Sequence, residues 1–236
     1  MLAAPKSVLL LLAALTGNPF GDFRAGLDAE KSGDDAGAAR WLARAVAEAP
    51  GWSLPKLELA QLRLKLGQAA DARRLAGDAV RVDGENPRGW HLLGLAADAV
   101  GDAAAAETAE AKALALRPGY FEARQHLAQI LWNEGKRGPA IEQLVALVAA
   151  RPGDVALLAQ LASAEEDAGR TDAAEQALRT LVEIQPANPA WHRRLGRLLS
   201  GEGKATAASA EFARADHLAG EQRKSRHLRP LLPSKR

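Results

Sequence analysis

Several residue types are absent or scarce in this chain of 236 residues, and each shortage excludes a class of protein. The sequence has no cysteine, which excludes disulfides, zinc–thiolate sites, iron–sulfur clusters and thiol catalysis. Valine and isoleucine together number 12, and aromatic residues make up 4% of the chain. The residues that favour strands are therefore few. Alanine (53 residues) and leucine (36 residues) dominate instead; both favour helices, so the composition predicts an all-α protein.

The net charge of +2 is unevenly distributed along the chain. Residues 223–236 carry six Lys or Arg residues and no acid, and Lys6 is the one charged residue of 1–18. Residues 19–222 therefore hold 24 basic and 29 acidic residues, a net charge of −5. Because a nucleic-acid-binding body needs a basic surface that follows the phosphates, we expect no nucleic-acid partner.

Small residues recur with a period of 34 residues. The clearest series is glycine, at Gly33, Gly67, Gly101, Gly135, Gly169 and Gly203. Five residues after each of these glycines stands an alanine, in Ala38, Ala72, Ala106, Ala140, Ala174 and Ala208. Seven residues before each stands another small residue, in Gly26, Ala60, Gly94, Ala128, Ala162 and Gly196. A stop residue follows 17 positions after each glycine, in Pro50, Gly84, Pro118, Pro152, Pro186 and Gly220. Six units of 34 residues fill residues 19–222 without an insertion.

Each 34-residue unit predicts two helices joined by a tight turn. Glycine suits the turn because it accepts a positive φ. Pro19, Pro87 and Pro189 open their units, where a missing backbone N–H costs little in the first helical turn. Apolar residues recur at helical spacing, and the small residues let the two helices approach closely. No single unit can bury its apolar face alone, so neighbouring units must stack to form a core.

This pattern resembles the tetratricopeptide repeat. The third unit resembles it best, through Trp90, Leu93, Gly94, Ala106, Ala113 and Pro118. The resemblance implies an all-α, right-handed superhelical solenoid of six antiparallel helix pairs. The predicted units are residues 19–52, 53–86, 87–120, 121–154, 155–188 and 189–222. The sequence departs from the family in the middle of the first helix of each unit, where the expected aromatic residue is missing.

The resemblance also implies a function, since members of the family bind a peptide or helix of a partner protein in a concave groove. In the family, the second, fifth, ninth and twelfth positions of the first helix line this groove. The residues predicted from these positions to contact a partner are Phe20, Phe23, Leu54, Leu57, Gln61, Arg88, His91, Gln125, Gln129, Trp132, Arg193 and Arg197. The Lys/Asn clamp of chaperone-binding members is not matched. Phe20, Phe23, Leu54 and Leu57 have an alternative role, which is to pack beneath residues 8–15.

Residues 1–18 have two interpretations. The apolar run from Val8 to Leu15 follows Lys6, as in a secretory signal, and residues 15–17 resemble the start of a lipoprotein cleavage box. Asn18 replaces the cysteine that such a box would acylate. Alternatively, the segment is a capping helix in phase with the repeat. It is too short to span a bilayer, which takes about 20 apolar residues. The first interpretation predicts an exported or periplasmic protein, and the second is compatible with the cytoplasm.

The basic tail, residues 223–236, leaves the repeat phase. It is interpreted either as a solubilising or partly disordered segment that can cover the last helix, or as a docking segment for an acidic surface.

No catalytic residue, metal ligand or cofactor is predicted from the sequence. The 32 residues outside the repeats are too few for a catalytic domain. The five histidines lack metal-binding spacing, so they are interpreted as surface or groove residues. Glu165, Glu166 and Asp167 are interpreted as a solvated acidic face of a helix.

The leading functional hypothesis is a non-catalytic scaffold or adaptor that binds a protein partner. The repeat number and the first 18 residues resemble the layout of pilotin-like bacterial repeat proteins, which suggests an exported assembly factor. The alternatives are a cytosolic co-chaperone-like scaffold and a repeat module that serves an enzyme such as a glycosyltransferase. Self-association through the apolar ends of the solenoid is a further open possibility.

Overall fold

The computed structural model describes residues 17–228, and every regular element in this range is an α-helix. The twelve helices of the described range are α1 Pro19–Lys31, α2 Asp35–Glu48, α3 Ser53–Lys65, α4 Ala69–Val82, α5 Pro87–Ala99, α6 Ala103–Leu116, α7 Phe121–Asn133, α8 Arg137–Ala150, α9 Val155–Asp167, α10 Thr171–Ile184, α11 Pro189–Gly201 and α12 Ala205–Leu228. The predicted all-α class of consecutive helix pairs is confirmed.

The turn within each helix pair contains a glycine with positive φ. The six glycines of the 34-residue series have φ between 70° and 82°, and no other described residue has a positive φ. An L side chain rarely adopts this conformation, so the repeated glycine is explained by backbone geometry.

Polar side chains define the starts of half of the helices. The side chains of Asn18, Asp34, Asn86, Asp102, Asp154 and Asn188 each accept a hydrogen bond from a backbone N–H of the first turn. This is the usual role of Asn and Asp at a helix N-cap. Three of these caps precede the opening prolines Pro19, Pro87 and Pro189. The local sequence therefore fixes where these helices begin.

The chain forms two compact units, which divide after Ile130 within α7. In the N-terminal unit, α1 packs on α2, α3 on α4, and α5 on α6. Its core contains Leu42, Leu57, Leu62 and Leu75 together with several alanines. In the C-terminal unit, α9 packs on α10 and α11 on α12. The core of that unit is built around a leucine cluster, which comprises Leu158, Leu178, Leu181, Leu195 and Leu199.

Three of the small residues lie where a side chain would collide with the partner helix. A Cβ atom added to Gly26 would lie 2.7 Å from Leu42, and one added to Gly196 would lie 2.8 Å from Phe212. A Cβ atom added to Gly94 would lie 2.6 Å from a carboxylate oxygen of Glu110. At these positions, glycine lets the paired helices approach closely without displacing the facing side chain.

The predicted stop at Gly220 is wrong, because α12 runs through it to Leu228. Gly220 is followed by residues that favour helix, and no proline intervenes until Pro230. A lone glycine inside a helix costs only about 1 kcal/mol, so it does not end one by itself. The first six residues of the basic tail therefore continue the last helix.

The signal-like segment up to residue 16 and the end of the tail lie outside the described residues. Within residues 17–228, no helix combines the length and hydropathy of a membrane span.

Candidate functional site

An apolar pocket lies at the start of the N-terminal unit. It is lined by Asn18, Phe20, Gly21, Phe23, Arg24, Leu27, Trp52 and Leu54. The ring of Trp52 is 4.6 Å from that of Phe20 and 4.8 Å from that of Phe23, measured between ring centroids. Phe20 is 74% exposed and Leu54 is 41% exposed. Three of the predicted groove residues, Phe20, Phe23 and Leu54, thus line one accessible pocket.

Leu57 does not share this surface. It is 1% exposed and packs in the core cluster of the N-terminal unit, so its side chain is not accessible to a partner. The fifth position of α3 therefore faces the helices packed against it. Trp52, by contrast, lies just before α3 and outside the predicted positions, and its ring contacts place it in the pocket.

The predicted groove residues Gln61 and Arg88 bind each other and a neighbouring acid. The guanidinium of Arg88 donates to both carboxylate oxygens of Glu58, at 2.6 and 2.8 Å, and to the side-chain oxygen of Gln61, at 2.6 Å. The hydrogen bonds to Glu58 raise the pKa of Arg88 further above its ordinary value. These hydrogen bonds join α3 to α5, and through them the side chains of Gln61 and Arg88 already have partners.

His91 lies in a cluster of ionisable side chains that the sequence analysis did not predict. Its Nδ1 atom lies 2.9 and 3.0 Å from the two carboxylate oxygens of Glu110. The Nδ1 atom of His126 lies 2.6 Å from Oε1 of the same carboxylate, and its Nε2 atom lies 3.2 Å from Oδ2 of Asp98. The side chain of Glu110 has no exposed surface, whereas those of His91 and His126 are 12% and 15% exposed.

The charge of this cluster favours a protonated His126. Burial lowers the pKa of His126, but the hydrogen bonds and negative charges of Glu110 and Asp98 outweigh this effect and raise it above the ordinary value. The geometry agrees with this direction, because each ring nitrogen of His126 faces a carboxylate that can accept a hydrogen bond.

A signal for this cluster was present in the repeat itself. Glu110 occupies a position at which the other units have apolar residues, namely Leu42, Ala76, Leu144, Leu178 and Phe212. A carboxylate at a core position of a repeat needs partners, because burial of an unpaired charge is very costly. Spacing along the chain does not reveal them, since His91, Glu110 and His126 come from three different helices.

The remaining predicted groove residues lie on later helices. Gln125 and Gln129 are exposed on α7. Trp132 is partly buried, and the guanidinium of Arg137 lies 3.8 Å from the centroid of its ring. Arg193 and Arg197 are exposed on α11, and Arg193 donates to Asp216 at 3.1 Å. Arg193 thus has an acidic partner from the next helix, which inspection of α11 alone could not show.

Two expectations about charged residues need correction. The carboxylate of Glu165 is not solvated, because the residue is 4% exposed within α9. Arg170 is its nearest basic partner, at 3.7 Å. His192 is not a surface residue either. It is 6% exposed and contacts Glu211 at 2.7 Å and the carbonyl oxygen of Pro186 at 3.0 Å.

Family models of the tetratricopeptide repeat match residues 57–121 and residues 155–198. The same repeat architecture is found in solved structures. The chain is a tetratricopeptide repeat protein. The crystal structure of YrrB, described as a TPR protein with an unusual peptide-binding site, aligns with a TM-score of 0.64 at 16% identity over 82% of this chain and 100% of that chain.

Two MamA structures are also similar to this tetratricopeptide repeat protein. MamA (41-end) from Desulfovibrio magneticus RS-1 has a TM-score of 0.56 and 24% identity over 72% of this chain and 96% of that chain. MamA AMB-1 has a TM-score of 0.59 and 19% identity over 71% and 92%. Identities this low show a shared fold. No curated protein sequence matches the chain.

Tetratricopeptide repeat proteins are generally non-catalytic scaffolds for protein–protein interaction, and the helix pairs of this chain are consistent with that role.

Proposed function

We propose that this protein is a non-catalytic adaptor that binds an apolar peptide or helix of a partner protein in the pocket around Trp52. The observation that carries this proposal is the exposure of two large apolar side chains, Phe20 and Leu54, at one pocket. Aromatic side chains supply much of the binding energy at protein interfaces.

The polar part of the predicted groove is a weaker candidate for the main contact. Arg88 and Gln61 are bonded to each other, and His91 is bonded to Glu110. A partner that used these groups would have to replace contacts that already exist. Among the pocket's polar groups, Asn18 already caps α1 through Gly21, whereas Arg24 is an exposed lining residue that would favour an acidic or carbonyl-rich segment.

The fold supports this proposal by analogy, because YrrB is described as having a peptide-binding site on the same architecture. A different occupant is the chain's own apolar segment, Val8–Leu15, which ends a few residues before Phe20. In that case the pocket would bind a partner only after the segment had been removed or displaced.

The test begins with peptides selected from a displayed library on the full chain and on a chain that lacks residues 1–16. Phe20→Asp and Leu54→Asp should each weaken binding of the selected peptides at least about tenfold, since each places a charge in an apolar contact. Val82→Asp is the matched control, because Val82 is 43% exposed and lies outside the pocket.

Peptides that bind the Phe20 and Leu54 variants as tightly as the unaltered chain would contradict the pocket as the binding site. Trp132, Arg193 and Arg197 would then be the next residues to alter. Peptide binding by the shortened chain alone would identify residues 1–16 as the resident occupant. Light scattering of the same samples reports whether the chain associates with itself.

A second candidate, an exported assembly factor, is favoured by the apolar run at Val8–Leu15 after Lys6. Amino-terminal sequencing of the protein from cells tests it, and a start beyond residue 15 is the expected result for export. An intact start would favour a cytosolic scaffold, and recovery of a longer native chain would favour a module that serves an enzyme.

A further inference from the structure

Peptide binding in the apolar pocket does not explain why the carboxylate of Glu110 is buried. It stands at an apolar position of the repeat and has no exposed surface. Gly94 provides the space for it, since a Cβ there would lie 2.6 Å from Oε1. A charge in such a place requires compensation by partners with opposite charge or by a metal ion.

The partners that surround Glu110 are two imidazoles. Each presents its Nδ1 atom to the carboxylate, at 2.9 Å for His91 and 2.6 Å for His126. One donor atom from each of the three residues lies within 4.8 Å of the other two. Donor atoms in a tetrahedral zinc site lie about 3.3 Å apart, because the bonds to the ion are about 2.0–2.1 Å long. Small side-chain movements would therefore admit an ion at the centre of the cluster.

We propose that His91, Glu110 and His126 bind one divalent transition-metal ion of the zinc class. Two imidazole nitrogens and a carboxylate oxygen suit zinc, and they are a poor set for calcium or magnesium, which prefer all-oxygen sites. Three protein ligands leave a fourth position for water or for a ligand from another molecule. The partial exposure of the two histidines provides a route for the ion.

Asp98 supports this assignment from the far side of His126. Its carboxylate lies 3.2 Å from Nε2 and accepts that N–H, so Nδ1 faces Glu110 and becomes a zinc ligand once the ion displaces its proton. Histidines that bind metal ions usually donate their other N–H to such a carboxylate, which fixes the tautomer and the ring. The ring of Tyr120 packs 5.1 Å from that of His91 and restricts its orientation.

The same contacts are also compatible with a simpler role, in which the histidines only donate hydrogen bonds to Glu110. The two roles differ in one measurable respect. A structural cluster does not take up zinc, whereas a metal site binds it with a stoichiometry of one and through both imidazoles.

The test is isothermal titration calorimetry of zinc chloride into the untagged full chain. The absorption spectrum of bound cobalt(II) shows whether the ligands are nitrogen and oxygen in a tetrahedral arrangement. We expect one zinc ion per chain. His126→Gln should weaken zinc binding more than about 100-fold, because glutamine keeps an N–H donor for Glu110 but is a poor zinc ligand. His91→Gln should have the same effect. Asp98→Ala, which removes no ligand, should weaken binding about 10-fold or more.

His192→Ala is the matched control, since His192 also pairs with a glutamate but lies in the C-terminal unit. Its zinc affinity should equal that of the unaltered chain. Circular dichroism of every variant checks that the helices remain. No zinc binding by the unaltered chain would overturn the proposal, as would binding that survives in both glutamine variants or that is lost in His192→Ala. The pocket variants at Phe20 and Leu54 should bind zinc normally, which separates this proposal from the proposed adaptor function.

Discussion

Each unit of the molecule contains a histidine that faces a glutamate 19 residues later, but the two pairs have different environments. In the N-terminal unit, Glu110 is fully buried and contacts His91 and His126. In the C-terminal unit, the side chain of Glu211 is 23% exposed and contacts His192 alone among the described histidines, while the second nitrogen of His192 faces the carbonyl oxygen of Pro186.

The difference follows from a shift of one residue in the repeat. Glu110 occupies the position that Phe212 has in the last unit, and Glu211 precedes Phe212 by one residue. One residue rotates a side chain about 100° around a helix. The same pair of residue types therefore forms a buried cluster in one unit and a partly exposed hydrogen-bonded pair in the other.

The largest expected loss of stability follows substitution of Glu110, and the matching substitution of Glu211 gives the comparison. Glu110→Ala should lower the free energy of unfolding by about 3 kcal/mol, because it leaves two half-buried imidazoles without their acceptor and leaves a cavity. Glu211→Ala should lower it by about 1 kcal/mol, since solvent can replace a partly exposed partner. Urea denaturation with a metal chelator present measures both. Equal losses would contradict the distinction between the two pairs.

A smaller effect is expected for the glycines that accommodate these side chains. Gly94→Ala should lower the free energy of unfolding by about 1.5 kcal/mol, because a methyl group against buried Glu110 costs more than the better helix propensity of alanine restores. Gly196→Ala should be nearly neutral, since the partly exposed ring of Phe212 can turn away.

Gly77→Ala is the internal control for this comparison. Gly77 lies within α4 and a Cβ there would meet no neighbouring atom within 4 Å. This substitution should raise the free energy of unfolding by about 0.8 kcal/mol, which is the difference in helix propensity. The glycine explanation fails if Gly94→Ala stabilises the protein as much as Gly77→Ala does.

The smallest effect concerns a feature that the two units share. Arg88 joins α3 to α5 through Glu58 and Gln61, and Arg194 joins α9 to α11 through Glu166 and Ser163. Alanine at either arginine should lower the free energy of unfolding by about 1 kcal/mol, because each removes several charge-assisted hydrogen bonds between two helices.

Arg193→Ala is the matched control for these two arginines. Its partner Asp216 has a side chain that is 78% exposed, so the change should cost less than about 0.5 kcal/mol. Urea denaturation of the three variants tests whether the units are equal in this respect. A loss at Arg193 as large as that at Arg88 would indicate that exposure does not govern these pairs.

The sequence by itself determined the helix pairs. The recurring glycine sets a positive φ in every turn, and capping Asn or Asp residues and opening prolines set the start of half of the helices. These are local interactions within a few residues, so a repeated pattern in the chain predicts them in each unit. The same local view was wrong at Gly220, where nothing after the glycine obliges the helix to end.

Only the tertiary structure decided which side chains meet. It buries Leu57, exposes Phe20, gives Arg193 an acid from the next helix, and brings His126 to Glu110. Glu110 stood out in the sequence as a charge at an apolar position, but its partners come from helices before and after its own. The packing of one helix pair against the next fixes such contacts, and the 34-residue period leaves them unspecified because it repeats the backbone while the side chains differ from unit to unit.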